Sequence, residues 1–197
     1  VCFQLSMTGC SDDFLTPDPL SLYEPSITFN TVEGLNAALA SADKALRAYW
    51  TNTEACDLML PLMSEYLFSD LTVAAKTDDA LIFCDINERF TPNGWYNFDQ
   101  NRLVIFWGET YNGIKYANTI ISYIDKVEGL DESIKNEYLG RAYFHRAYRY
   151  LNLCFQFGDV PFVSKIIDRP KQDYKSTKRE AIIKKLVQDM EFAVQHV

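Results

Sequence analysis

Two long apolar stripes, separated by one glycine, constrain this chain more than any other feature. From Asn101 onward, Val104, Trp107, Tyr111, Ile114, Asn118, Ile121 and Ile124 recur every three or four residues. After Asp131, the set Gly140, Phe144, Ala147, Leu151 and Cys154 does the same. That period puts each set on one face of an α-helix. Gly129 between them fits a helix stop, because glycine adopts left-handed backbone at little cost. The two segments therefore read as an antiparallel helical hairpin. Small and large residues alternate along the second stripe, a pattern that lets a neighbouring helix approach closely.

The same reasoning extends outward. Asn30 or Thr31 can cap a helix whose stripe is Leu35, Leu39, Ala42, Leu46 and Tyr49. A less regular helix is expected over Asp57 to Asp70, with Pro61 in its first turn. From Leu71 to Gln100 the helical period disappears, and Pro92, Asn93 and Gly94 mark a turn, so this stretch reads as a long irregular loop with a possible short strand near Ala80 to Cys84. Gly158-Asp159-Val160-Pro161 stops the second hairpin helix. A polar connector, Asp168 to Ser176, leads to a last helix with stripe Ile183, Leu186, Met190, Ala193 and Val197. That stripe stops without a cap, which predicts that the native polypeptide continues past Val197. The expected fold is all-α: tetratricopeptide-like helical hairpins, each burying its face on the next, with one long irregular loop. A plain helical bundle is the alternative.

Composition narrows function mainly by exclusion. With 48% hydrophobic residues in 197, the chain can bury an ordinary domain core. Its net charge of −8 and lack of any Lys/Arg cluster disfavour nucleic acid. Cys2, Cys10, Cys56, Cys84 and Cys154 are scattered, with no CxxC pair and no histidine at ligand spacing, so no metal site is expected. Cys154 sits among apolar residues and reads as a small core residue. The sequence holds no serine nucleophile elbow, HExxH, P-loop or dinucleotide turn. Neither Asp12-Asp13 nor Asp78-Asp79 offers the separated carboxyls a glycosidase needs. No enzymatic activity and no cofactor are expected.

The first ten residues point to export. Val1 to Leu5 resembles the tail of a signal-peptide core, and Ser6-Met7-Thr8-Gly9 supplies the small residues of a cleavage site. Met7-Thr8-Gly9-Cys10 resembles the bacterial lipobox, with Met7 where Leu is usual. Cys10 would then become the first residue and carry the lipid; the alternative is an ordinary cysteine near a cleavage site. Ser11-Asp12-Asp13 resembles the acidic signal that sends lipoproteins of Bacteroidetes to the outer face of the outer membrane. Acyl chains contribute about 0.8 kcal/mol per buried methylene, enough for stable anchoring without a membrane-spanning helix. The expected organisation is a signal-peptide remnant (1–9), a lipid-anchored extended segment interrupted by Pro17, Pro19 and Pro25 (10–30), and the helical domain (31–197).

The run Arg141-Ala142-Tyr143-Phe144-His145-Arg146-Ala147-Tyr148-Arg149-Tyr150-Leu151, leading into Phe157-Gly158-Asp159-Val160-Pro161, resembles the central motif of the SusD/RagB family of outer-membrane nutrient-binding lipoproteins. Cys10 to Leu15, Trp107-x-x-x-Tyr111-x-x-Ile114-x-x-Ala117-Asn118 and Ile183 to Ala193 add matches over nearly the whole chain. His145 stands where that family commonly has Leu, and Arg141 where it has an acidic residue, so a salt bridge inside the motif is expected to be absent or rewired. The resemblance implies a surface-exposed outer-membrane lipoprotein that binds glycans or other nutrients and delivers them to a SusC-like TonB-dependent transporter. The alternative is a tetratricopeptide-like protein-interaction scaffold without sugar affinity of its own.

Candidate glycan-binding residues lie in and beside the long loop: Trp95 and Tyr96, with Asn93, Asn97 and Arg102. Sugar rings pack their C–H faces on aromatic rings, and their hydroxyls need amide or guanidinium partners. The alternative is that these aromatics plug the loop into the core. Trp107 and Tyr111 fall on a helical stripe and are expected in the core. Asn118 is expected to be a buried amide bonded to a neighbouring helix or loop, and Arg146 a structural arginine holding a carboxylate or loop carbonyls near Phe157-Gly158. His145 is expected to be a satisfied packing residue rather than a base.

Overall fold

A computed structural model describes residues 28–51, 102–167 and 172–197. The helix expected over Asp57 to Asp70, the loop expected to Gln100 and the anchor expected at Cys10 lie outside them. Among the described residues there are four α-helices: α1 (Val32–Thr51), α2 (Arg102–Tyr123), α3 (Glu132–Phe157) and α4 (Arg179–His196). None is long and apolar enough to cross a membrane.

Each helix begins or ends where local chemistry requires. The Thr31 hydroxyl accepts the Gly34 amide at 3.1 Å and caps α1. At its C-terminus α2 tightens into a 3-10 turn, Ile124–Lys126, and the chain reverses through Gly129 at φ 76°. Gly158, at φ 75° and ψ −117°, terminates α3 while its amide bonds the Cys154 carbonyl at 3.1 Å. Lys178, the residue before α4, makes no side-chain cap; Asp159 substitutes, accepting the Arg179 amide at 3.0 Å and pairing with Lys178 at 2.8 Å. The lysine hydrogen bond holds the Asp159 carboxyl below its usual range, so an anion sits at the positive end of α4.

Successive helices pack on one another: α1 on α2, α2 on α3 and α3 on α4. Two apolar clusters result. Leu35, Ala38 and Leu39 of α1 meet Ile120 of α2, Ile124 of the 3-10 turn and Ala142 of α3. Phe106 and Ile114 of α2 meet Tyr150 and Leu153 of α3 and Ile182 and Leu186 of α4. The fold is thus mostly helical and built of stacked hairpins, the tetratricopeptide-like arrangement expected from the stripes. A small addition is the antiparallel pairing of β1 (Val160–Pro161) with β2 (Ser176–Thr177), which ties the segment after α3 to the start of α4.

Two expected faces need correction. On α3, Gly140, Ala147 and Cys154 are buried, but Phe144 and Leu151 are 39% and 37% exposed. The buried set includes Ala142, His145, Arg146, Arg149, Tyr150 and Leu153, because α3 is covered by α1, α2 and α4 and so buries more than one stripe. On α4, Ile182, Leu186, Asp189 and Ala193 face inward, while Ile183 and Met190 are half-buried and Val197 is exposed. The inward face of α4 includes Asp189 because Arg146 holds it there.

Close helix approach depends on two glycines. A Cβ on Gly113 of α2 would stand 2.0 Å from the Arg149 guanidinium carbon, and one on Gly140 of α3 would stand 2.7 Å from Val197 and 3.5 Å from the Ala193 backbone.

Candidate functional site

Residues 161–164 leave α3 and run back across α2 and α3, fixed by polar side chains from both helices. The Tyr111 hydroxyl donates to the Pro161 carbonyl at 2.6 Å, and the Asn118 amide to the Val163 carbonyl at 2.9 Å. Tyr150 accepts the Val163 amide at 2.6 Å and donates back to its carbonyl at 3.2 Å. Burial pushes the Tyr111 and Tyr150 hydroxyls far above the ordinary tyrosine range, so both remain protonated donors.

Arg146 fastens the same segment to α4. Its Nε and Nη2 reach one oxygen of Asp189 at 2.8 and 2.7 Å, and its Nη1 donates to the Asn118 side-chain oxygen and the Ser164 carbonyl, each at 3.3 Å. Lys185 meets the other Asp189 oxygen at 3.1 Å. This matches the expectation for Arg146, a structural arginine holding a carboxylate and a loop carbonyl, and that for Asn118. Asp189, the carboxylate itself, was not anticipated; a charged residue between apolar positions of an amphipathic helix reads as surface until its partner is known.

A second polar contact joins α3 to α1. His145, 3% exposed, places Nε2 2.8 Å from Asp43, and Arg141 reaches the other Asp43 oxygen at 3.4 Å. Arg149 donates to the Ala42 carbonyl at 3.1 Å. Arg141, His145 and Arg149 are four residues apart, so one face of α3 carries three nitrogen donors toward α1. The salt bridge expected to be rewired by Arg141 runs to Asp43. Burial lowers the His145 pKa, Asp43 raises it, and Arg149 and Arg141 lower it further.

The wall made by residues 161–167 and the outer face of α2 enclose a cavity of about 680 Å³, open to solvent on one side. Trp107, Tyr111 and Lys115 line it from α2, Tyr174 from beyond β1, and Phe29 from the lead into α1. Trp107 and Tyr111 were expected in the core. They are half-buried and do pack on it, Trp107 edge-on to Phe157 at 4.9 Å, but they also form the cavity wall. A cavity of this size with aromatic walls and a few polar groups matches the usual form of a small-molecule site. Of the candidate glycan-binding residues, Trp95, Tyr96, Asn93 and Asn97 lie outside the described residues. Arg102 opens α2. The aromatic wall begins little more than a turn further along that helix, so residues that sequence periodicity assigned to packing also line a cavity.

Stacked antiparallel helices with an open, aromatic-lined cavity define an all-helical, tetratricopeptide-like class of protein. The comparisons give its family. A family model described as starch-binding and associating with the outer membrane matches residues 36–197, and the chain belongs to this SusD-like family. It is 27% identical over 194 residues to SusD-like protein P2 of Formosa agariphila, covering 96% of this chain and 35% of that protein. Among solved structures it resembles a SusD superfamily protein of Bacteroides thetaiotaomicron (TM-score 0.64, 18% identity, 86% of this chain and 36% of that one). It also resembles a laminarin-binding SusD-like protein (TM-score 0.63, 20% identity, 85% and 34%). The chain thus spans about a third of the length of the relatives it matches.

Proposed function

We propose that this chain belongs to a surface-exposed outer-membrane lipoprotein, anchored through Cys10, that binds glycans and passes them to a SusC-like TonB-dependent transporter without catalysing a reaction on them. The observation that carries this reading is the family match over residues 36–197. The lipobox-like Met7 to Cys10 and the acidic residues after it add the anchor and its outward destination. Trp95 and Tyr96, with Asn93, Asn97 and Arg102, are the proposed glycan contacts.

Isothermal titration of the full-length protein against maltoheptaose and laminarin oligosaccharides tests the binding claim. The Trp95→Ala/Tyr96→Ala double variant is expected to weaken a measured affinity at least tenfold, as loss of two stacking surfaces each worth about 1 kcal/mol implies. Unchanged affinity would return those rings to the core. For the anchor, a palmitate label should enter the wild type and not Cys10→Ser; equal labelling would refute it.

A protein-facing role has its own support. Phe144, Leu151, Val187 and Val194 line an open apolar groove of about 590 Å³ between α3 and α4. Such a surface suits helix packing by another protein element. Co-purification with a β-barrel transporter, without sugar affinity, would favour that role alone.

A further inference from the structure

The described lining of the cavity on α2 differs in charge from the chain as a whole, although Asp173 stands in the adjoining hollow beside Lys165 and Tyr174. The chain carries 27 acidic and 19 basic residues. The described lining nevertheless includes Lys115 and Lys165 and no Asp or Glu. Both lysines are exposed, and neither pairs with a carboxylate among the described residues. Lys115 stands over the Tyr116 ring at 5.9 Å from its centroid, the outer limit of a cation–π contact, which leaves its ammonium group charged and uncompensated by any described carboxylate.

The helix arranges these groups in order. Trp107, Tyr111 and Lys115 follow at intervals of four and so share one side of α2, about 12 Å from first to last by helical rise. The Trp107 and Tyr111 rings lie 5.1 Å apart and tilted by 47°. Gly108 lines the cavity beside them and faces open space, since an added Cβ there would meet nothing within 4 Å. An aromatic surface receives the C–H face of a sugar ring, and an ammonium group beside it receives a negative substituent.

We infer that this cavity holds a sugar unit bearing an anionic group, a uronate or a sulfate ester, its ring against Trp107 and Tyr111 and its charge between Lys115 and Lys165. The inference rests on the proposed glycan-binding role and narrows its substrate class. A fatty acid shares the pairing of apolar body and anion, but it favours an enclosed aliphatic channel rather than an open aromatic cleft.

The test is titration of the full-length protein with tetragalacturonate, a chondroitin sulfate tetrasaccharide, maltotetraose and palmitate. At least one acidic oligosaccharide should bind more tightly than maltotetraose. Its affinity should fall about tenfold in Lys115→Gln/Lys165→Gln, the loss expected for charge-assisted contacts at an exposed site, and should weaken as salt rises from about 0.02 to about 0.2 M. Uronate binding and sulfate binding each support the inference and identify the group. Tyr174→Ala, at the exposed rim, provides a second variant expected to fold normally and to weaken the same ligand. Neutral binding equal to acidic, acidic binding indifferent to both variants, or palmitate as the tighter ligand would overturn the inference while leaving glycan binding intact. No binding of any sugar, including laminarin oligosaccharides, would instead remove the reading beneath it.

Discussion

Arg146 is the residue on which most of the described structure converges, since its guanidinium joins α3 to Asp189 of α4, Asn118 of α2 and the Ser164 carbonyl. Removing one partner of a buried ion pair leaves the other charge without compensation, at a cost of about 3–5 kcal/mol. Arg146→Ala is therefore expected to lower the unfolding free energy in urea by about 3 kcal/mol, the lower end because Lys185 still meets Asp189. Arg146→Lys should recover little of this, because an ammonium cannot bridge three acceptors in the plane of a guanidinium. Asn118 was legible as a polar residue on an apolar stripe, and Arg146 as an arginine within the Arg141 to Pro161 motif, although it lies off the stripe expected to be buried on α3. Their partners were not. Asp43 and Asp189 carry no local signature, and the contacts that hold them span 102 and 43 residues of sequence.

His145 was expected to be a satisfied packing residue, and its Asp43 bond agrees; its Nδ1, however, is buried without a partner among the described residues. Burial disfavours the imidazolium, so the folded pKa lies below the ordinary 6.5. The unfolded chain therefore takes up a proton first as pH falls. The stability contributed by neutral His145 is complete above about pH 6.5 and is lost as pH drops through that value toward the lower folded pKa. Urea titrations should show the wild type losing more stability than His145→Gln between neutral and mildly acidic pH. Parallel pH profiles for the two proteins would contradict this assignment.

At the scale of elements, glycine substitutions separate close packing from open surface. Gly113→Ala would drive a methyl into the fully buried Arg149 guanidinium and should destabilise the α2–α3 contact, whereas Gly108→Ala meets nothing within 4 Å and should stabilise α2 by up to about 1 kcal/mol through helix propensity. Thermal unfolding of the two variants should shift in opposite directions. Gly158→Ala faces a different obstacle, a backbone conformation at φ 75° and ψ −117° that L-residues avoid, and should cost about 1–3 kcal/mol. Helix ends were readable because Thr31, Gly129 and Gly158 have specific chemistry. The β1–β2 pairing was not, because two residues per strand are too few to show alternation. The inward face of α4 was displaced from the expected one because apolar periodicity cannot register a buried aspartate.

At the scale of the molecule, stacked hairpins leave two apolar features with different surroundings. The α3–α4 groove is a largely apolar cleft between two helices, suited to protein, while the α2 cavity is aromatic with a basic rim, suited to a sugar. The fold was legible because helical stripes persist over many turns. The cavity was not, because Trp107 and Tyr111 obey the same period as core residues and only the return of residues 161–167 across α2 makes a hollow beside them. The residues expected to bind sugar in the long loop remain the proposed glycan contacts.

Glycan capture by the full-length protein is measured most directly by native electrophoresis through gels with and without polysaccharide. Retardation by at least one of starch, laminarin, polygalacturonate and chondroitin sulfate is expected, reduced in the Trp95→Ala/Tyr96→Ala variant. Identical migration in every gel, with a folded protein and a non-binding reference, would contradict it.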